Sequence, residues 1–389
     1  MFGFLRFFTV AACVFSVTTN VFGQQSRVNS TVAWPYHPNR VGVEAYMQGG
    51  AFVANTGSVT AMLFNPAGLA KMPGRLTATV ETGWASETKY LQFFNIDFAA
   101  GFQPVQFAGV AFQPWSKLAV GAFYTRPTSY DLEVGTLAIT DENDPTGTGE
   151  FVDPVLQREQ TSVGLNLAAA LGEQLYLGGS LEWRRSSVQE EIIRMRAEGD
   201  ADGVRFSLGA IFQVSQWRFG VAAQSKYEVS GDIALENIAP LVRFEVPPGQ
   251  RGNNAFYPVR IDEVPFDYAE PASIRFGVAT PHAFGRLSLS ADAEYKDYDS
   301  TAPIERWQFY GGGNLLLTSN LQMGLGAFTF RKDYSAFIDG PASETFWTVG
   351  TVVELAQFRF SGSFMDSALF SQNSAGQQFI NFAISYVIP

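Results

Sequence analysis

From Leu76 to the last residue, the chain alternates apolar and polar side chains in run after run. Nowhere beyond its first residues does it gather the ~20 apolar residues in succession that a membrane helix requires. Val204, Phe206, Leu208 and Val214 alternate with Arg205, Ser207, Gly209 and Gln213. Leu287, Leu289 and Ala291 alternate with Ser288, Ser290 and Asp292, and Phe358, Phe360 and Phe364 with Arg359, Ser361 and Ser363. A period of two places successive side chains on opposite faces of a strand. A secreted β-sandwich gives the same alternation with its apolar face in a core. Length favours the alternative, because these runs reach about ten residues, enough for a tilted strand to cross a bilayer.

The connectors keep a matching rhythm. Short turns fall at Gly172–Gln174, Ser215–Gln216, His282–Gly285, Ser319 and Ala356–Gln357. Longer links fall at Pro127–Glu159, Ile192–Asp202, Ser230–Pro271, Asp299–Ile304, Lys332–Ala342 and Ser367–Gly376. Short turns on one side and long loops on the other are the plan of an outer-membrane β-barrel. Trp84, Trp183 and Trp347 lie near strand ends, where an aromatic girdle belongs. Fifteen alternating runs can be counted, an odd number that leaves the two termini on opposite sides. Within Phe93–Phe112 the phase slips at Gly101-Phe102-Gln103-Pro104: Phe94, Ile96 and Phe98 hold one parity, Val105 and Phe107 the other. Reading this stretch as one strand with a bulge restores the rhythm and predicts fourteen strands, the second kinked where proline removes a ladder donor.

Composition agrees. The chain is 14% aromatic, with 35 Phe and 37 Gly, yet its mean hydropathy is only +0.02. A barrel greasy outside and polar inside averages out in this way. Arg6, the apolar run Phe7–Val17 and the small-residue site Val21-Phe22-Gly23 predict a secretory signal over 1–23. Cys13 is the only cysteine, which leaves no disulfide framework or cysteine metal site after export. A net charge of −11 argues against nucleic acid as a partner.

Before the strands, Gly42–Met72 reads GVEAYMQGGAFVANTGSVTAMLFNPAGLAKM. Gly49, Gly50, Ala45, Ala51 and Ala54 let a short helix and its turns pack in a narrow lumen. Asn65-Pro66 is a turn signal, with Pro fixing φ and Asn bonding back to the backbone. A small-residue segment closing on Asn65-Pro66-Ala67-Gly68 and followed by a barrel resembles the FadL/TodX family of outer-membrane transporters for long-chain fatty acids and hydrophobic compounds. The resemblance implies an all-β, fourteen-stranded transmembrane barrel over 75–389 with a helical or irregular hatch, 24–74, inside its lumen. It implies a bacterial outer-membrane location, a hydrophobic ligand entering through outer loops, and lateral release through a kink-made wall opening. Asn65, Pro66, Ala67 and Gly68 match the hatch turn. Gly101, Phe102, Gln103 and Pro104 become the opening, although the family's kink lies in the third strand and this slip in the second. The C-terminus also departs: Pro389 replaces the usual terminal aromatic, so Phe382 or Tyr386 must serve assembly.

Catalysis finds little support. His37 and His282 lie apart from any serine or carboxylate constellation, so a barrel hydrolase lacks its base and no enzyme is expected. Asp141–Glu150 is acidic, but its spacing fails the calcium-loop pattern. No metal or cofactor is expected. Arg205, Arg218, Arg275, Arg359, Glu182, Asp292, Glu294 and Glu354 fall on the inward parity. They read either as a salt-bridge lattice or as a source of one arginine for a substrate carboxylate, with Arg194, Arg196, Arg205 and Arg218 the candidates. Ile233, Leu235, Ile238, Leu241 and Phe244 offer an entrance groove for a greasy ligand, or a loop folded over the mouth. The expectation is a monomer among outer-membrane lipids that takes up hydrophobic small molecules passively. The main alternative is a barrel of the same build serving as a PorV-like scaffold or shuttle for protein secretion, or as a general structural protein. A polar porin is third, since a hatch obstructs a water channel.

Overall fold

The computed structural model describes residues 41–85, 88–91, 96–98, 102–133, 137–138, 151–152, 155–192, 195–237, 261–280, 285–297, 307–331, 343–369 and 377–389. Fourteen strands form the wall. They are β1 (Leu76–Ala85), β2 (Phe102–Trp115), β3 (Leu118–Glu133), β4 (Val155–Leu171), β5 (Leu175–Ile192), β6 (Met195–Val214) and β7 (Trp217–Gln224). They continue as β8 (Ala272–Thr280), β9 (Leu287–Asp297), β10 (Trp307–Thr318), β11 (Leu321–Arg331), β12 (Ser343–Leu355), β13 (Phe358–Asp366) and β14 (Gln378–Ile388). Each pairs antiparallel with its neighbours in the chain. The sheet closes where β14 meets β1, in register from Leu76↔Ile388 to Ala85↔Phe379. Closure abolishes the sheet edges that a membrane would leave unpaired. No described helix is long and apolar enough to cross a membrane.

Burial decides between sandwich and membrane barrel. Leu165, Leu325 and Phe382 are 63%, 68% and 57% exposed, while their polar neighbours Asn166 and Asn381 are 4% and 0% exposed. The apolar face is turned outward and the polar face inward, the reverse of a soluble sandwich. Trp84, Trp183 and Trp347 are exposed toward the outer end together with Trp307, and Trp115, Trp217 and Phe358 are exposed at the short-turn end. Two aromatic levels therefore flank an apolar band.

The strands differ in height. β6 has twenty residues and β8 nine. Two of the predicted loops are themselves strand. Ile192–Asp202 continues β5 and β6, paired from Met195↔Ile192 to Asp202↔Arg185. Ser230–Pro271 contains a hairpin, Tyr227–Asn237 against Ile261–Glu270, whose first arm also pairs with the outer half of β6. Phe93–Phe112 is corrected as well. Ile96–Phe98 pairs with Thr88–Leu91 in a separate two-stranded ribbon, and the second wall strand begins at Phe102.

Inside the wall lie α1 (Val43–Tyr46), α2 (Ala61–Phe64) and a 3-10 turn, Pro66–Lys71, nearly all of it buried. Barrel glycines let this segment approach the wall backbone. A Cβ at Gly178 would overlap Pro66 and Ala67, and one at Gly326 would overlap Gln48 and Gly49.

Candidate functional site

The hatch is held by wall side chains that bond its backbone. α1 starts at Gly42, whose φ of 108° suits glycine and which offers no side chain to cap the helix. The cap comes from the wall instead: the Glu81 carboxylate on β1 accepts from Gly42 N at 2.7 Å and Val43 N at 3.3 Å. Glu44 on α1 pairs with Arg359 on β13 at 2.8 Å. Further along, Asp292 Oδ2 accepts from Phe52 N at 2.7 Å and Val53 N at 3.0 Å. Arg275, 3.1 Å from Asp292, donates to the Gly50 carbonyl and stacks 3.7 Å from the Tyr310 ring centroid. This pair is buried, so each charge depends on the other.

Asn65 makes the densest set of contacts. Its Oδ1 accepts from Ala67 N at 3.1 Å, closing the turn, and Pro66 takes the first position of the 3-10 helix. Its Nδ2 donates to Val53 O at 2.6 Å within the hatch, and to Ala210 O at 3.2 Å and Val221 O at 3.4 Å on β6 and β7. Ala67 is buried, and a Cβ at Gly68 would press on Ala61 and Asn55. One amide thus joins hatch to hatch and hatch to wall.

The wall parts beside this plug. β1 and β2 pair from Leu76↔Phe112 to Glu81↔Phe107 and resume at Gly83↔Gln103, so Pro104, Val105 and Gln106 face Thr82 alone. On its other side β2 pairs with β3 only from Phe107↔Thr125 toward the turn. β3 carries a second irregularity between Thr125 and Thr128, containing Pro127. Outward of Phe107 and Thr125, β2 leans on β1 and β3 leans on β4. Phe102, Pro104 and Val105 face outward, while Gln103 and Gln106 are buried. Gly101 lies outside the described residues.

Above the hatch, β10–β14 turn aromatic side chains inward. Phe328 and Phe346 stack with centroids 5.0 Å apart, and Phe346 lies 6.0 Å from Phe379. Phe330, Met365 and Tyr46 of the hatch complete the patch. The arginines are spoken for differently. Arg205 and Arg184 both contact Glu182, at 2.9 Å and 2.6 Å, and Arg218 donates to Thr56 of the hatch at 2.6 Å. Arg196 is a β6 residue paired with Glu191 in register, and Ile233 and Leu235 lie in the outer hairpin. Arg194, Ile238, Leu241, Phe244, His37, His282, Asp141–Glu150 and the predicted signal are outside the described residues.

The hatch-binding roles of Glu81, Arg275 and Asp292 carried no sequence signal, because a charge on the inward parity reads the same whether it meets water, another charge or a backbone amide. The aromatic patch did leave one. At Phe346-Trp347 both parities are apolar, which a simple barrel wall does not need.

The sequence matches no family model and no curated protein. The fold does have solved counterparts. The toluene transporter TbuX of Ralstonia pickettii is 15% identical with a TM-score of 0.63, over 90% of this chain and 97% of that one. The toluene transporter TodX of Pseudomonas putida is 14% identical with a TM-score of 0.63, over 92% and 99%. A FadL homologue of Pseudomonas aeruginosa is 13% identical with a TM-score of 0.60, over 92% and 100%. A closed wall of fourteen strands, apolar outside and filled near its short-turn end by an N-terminal segment, gives this chain the fold of the FadL/TodX-type outer-membrane transporters.

Proposed function

We propose that the protein is a passive outer-membrane uptake channel for hydrophobic small molecules, gated by its hatch and releasing ligand sideways. The parting of β2 from β3 carries this reading. An apolar ligand gains nothing from a water-filled exit, whereas a gap in the wall leads it into lipid without exposure to water. The aromatic patch on β10–β14 supplies a resting place of fitting chemistry. The packing of the hatch against wall glycines obstructs a straight aqueous path, which disfavours a polar porin. Solved proteins of this fold, named as toluene transporters and a FadL homologue, are consistent with it.

Gating requires that ligand bind two hatch arrangements unequally. Tyr46 belongs to both the hatch and the aromatic patch, 5.4 Å from Phe328, so a ligand in the patch displaces or embraces a hatch residue directly. α1, which carries Tyr46, is capped by Glu81 beside the parting. The test is uptake of labelled toluene and of a labelled long-chain fatty acid by cells lacking their own transporter, with and without this protein. Saturable uptake of either supports the channel. An inserted barrel that takes up neither overturns it.

A further inference from the structure

We propose that Gln106, Asn381 and Ser363 form a recognition site for a single uncharged hydroxyl on an otherwise apolar ligand, a phenol or aryl alcohol. The proposal rests on the channel reading and specifies its ligand. The three residues share one level of the inner wall. Ser363 on β13 is opposite Asn381 on β14, which is opposite Gly83 on β1, and Gly83 is opposite Gln103 at the edge of the bulge that contains Gln106. Gly83 has no side chain, and the ends of Asn381 and Gln106 meet over it, in the space a Cβ would take.

Asn381, Gln106 and Ser363 are 0%, 1% and 4% exposed. Gln106 Nε2 donates to Gln103 Oε1 at 3.2 Å, but Gln106 Oε1, both amide atoms of Asn381 and Ser363 Oγ have no protein partner. Buried polar groups are nearly always paired, because an unpaired one keeps the full cost of losing water. Four such atoms from β2, β14 and β13, with Gly83 of β1 between the first two, are suited to a polar group that arrives with the ligand.

Their surroundings select its chemistry. One inward step toward the outer end on each strand lie Ala85, Phe379 and Met365, members of the aromatic patch. Two residues along a strand span about 7 Å, roughly the length of a substituted ring. A ring on Phe379 and Phe346 therefore brings a ring substituent down to the amides. One step the other way lies Glu81, with Glu44 of the hatch beyond it and Arg359 already paired to Glu44. Glu81 is taken up by the Gly42 and Val43 amides and Arg359 by Glu44, so neither side chain offers a cation to a carboxylate head. An ammonium would satisfy the oxygens but offers nothing for Asn381 Nδ2 to donate to. A hydroxyl both donates and accepts, and matches the set.

Calorimetric titration of the whole detergent-solubilised protein with 4-ethylphenol and with ethylbenzene tests this. The wild type is expected to favour the phenol about tenfold. Asn381→Leu and Gln106→Leu, each shown to be a closed barrel by heat-dependent gel mobility, should each abolish that preference and leave ethylbenzene within about twofold. Equal wild-type affinities for the two ligands overturn the hydroxyl site and leave the channel reading standing. A preference that survives both variants also overturns it, and marks the amides as partners of structural water only. Binding of neither ligand overturns the hydroxyl site and leaves the channel reading to the uptake of toluene and fatty acid. The wild-type comparison needs no variant, so a misfolded mutant does not protect the proposal.

Discussion

The Glu81 carboxylate holds the Gly42 amide at 2.7 Å, and Glu81 is also the last residue of β1 in regular register with β2 before the bulge. One side chain thus touches the start of the hatch and borders the place where the wall parts. A shift of α1 must break or carry this bond. The wall beside it breaks its regular pairing between Glu81 and Gly83, and pairs across to β3 only from Phe107↔Thr125 toward the turn.

Replacing Glu81 with alanine takes the carboxylate acceptor from two buried amides and removes the cap that the wall supplies to α1. The expected loss is about 1–2 kcal/mol of hatch docking, with the barrel intact. Cys13 is the only native cysteine, so a Cys13→Ala background carrying Ala45→Cys reports the hatch alone. Labelling of that cysteine by a water-soluble maleimide should quicken several-fold in Glu81→Ala. An unchanged rate would show that Glu81 does not hold α1.

Asn65 can be dissected by two substitutions of different character. Asn65→Ala loses the turn contact to Ala67 and all three donations. Asn65→Asp keeps an acceptor for Ala67 N but sets a carboxylate against the carbonyls of Val53, Ala210 and Val221. If attachment to the wall matters more than the turn, Asn65→Asp destabilises the hatch more than Asn65→Ala, by about 1–3 kcal/mol. Maleimide labelling at Ala45→Cys ranks the two. The opposite order assigns Asn65 to turn formation.

Alternation sufficed for the wall because lipid outside and polar lumen inside impose different chemistry on alternate residues, as Leu165 and Asn166 illustrate. It failed where that contrast ends. Toward the outer end Arg185 and Asp200 pair while exposed, and the apolar-polar alternation is gone, so Arg196-Ala197-Glu198-Gly199-Asp200 reads as a loop although it is paired strand. The hatch was legible as a compact segment because small residues and Asn65-Pro66 leave few other uses. Its anchors were not, since pairing Asp292 with Phe52 and Val53 depends on contacts about 240 residues away. The phase slip falls in the sequence at Gly101–Pro104, of which Gly101 lies outside the described residues. The irregular residues are Pro104–Gln106, displaced because parity marks where a strand changes face and not where its partner lets go.

The Arg275–Asp292 pair predicts a non-additive result. Arg275→Met strands a buried carboxylate and withdraws the donor to Gly50 O, and should cost about 3–5 kcal/mol. Removing Asp292 as well, as Arg275→Met/Asp292→Leu, removes the stranded charge and should cost less than the single change. Thermal loss of heat-dependent gel mobility measures both. A double variant less stable than Arg275→Met would mean that the bonds to Phe52 and Val53 outweigh the charge pairing.

The register itself suggests how to seal the wall. Three residues, Pro104–Gln106, face Thr82 alone, so deleting Pro104 and Val105 leaves Gln106 opposite Thr82 and Gln103 still opposite Gly83. Gln103 and Phe107 keep their inward parity, because two residues are one full strand repeat, while Gln106 turns outward opposite Thr82 and is replaced by leucine in the same chain. The shortened β2 also loses its proline and can donate across to β3, provided Pro127 is replaced by valine in the same chain. Such a barrel should be at least as stable as the parent while its uptake of hydrophobic ligand falls about tenfold or more. The comparison needs the two proteins inserted at equal levels and uptake measured at several ligand concentrations. Uptake that persists at the parental rate would exclude release between β2 and β3, and would direct attention to a path past the hatch along β10–β14.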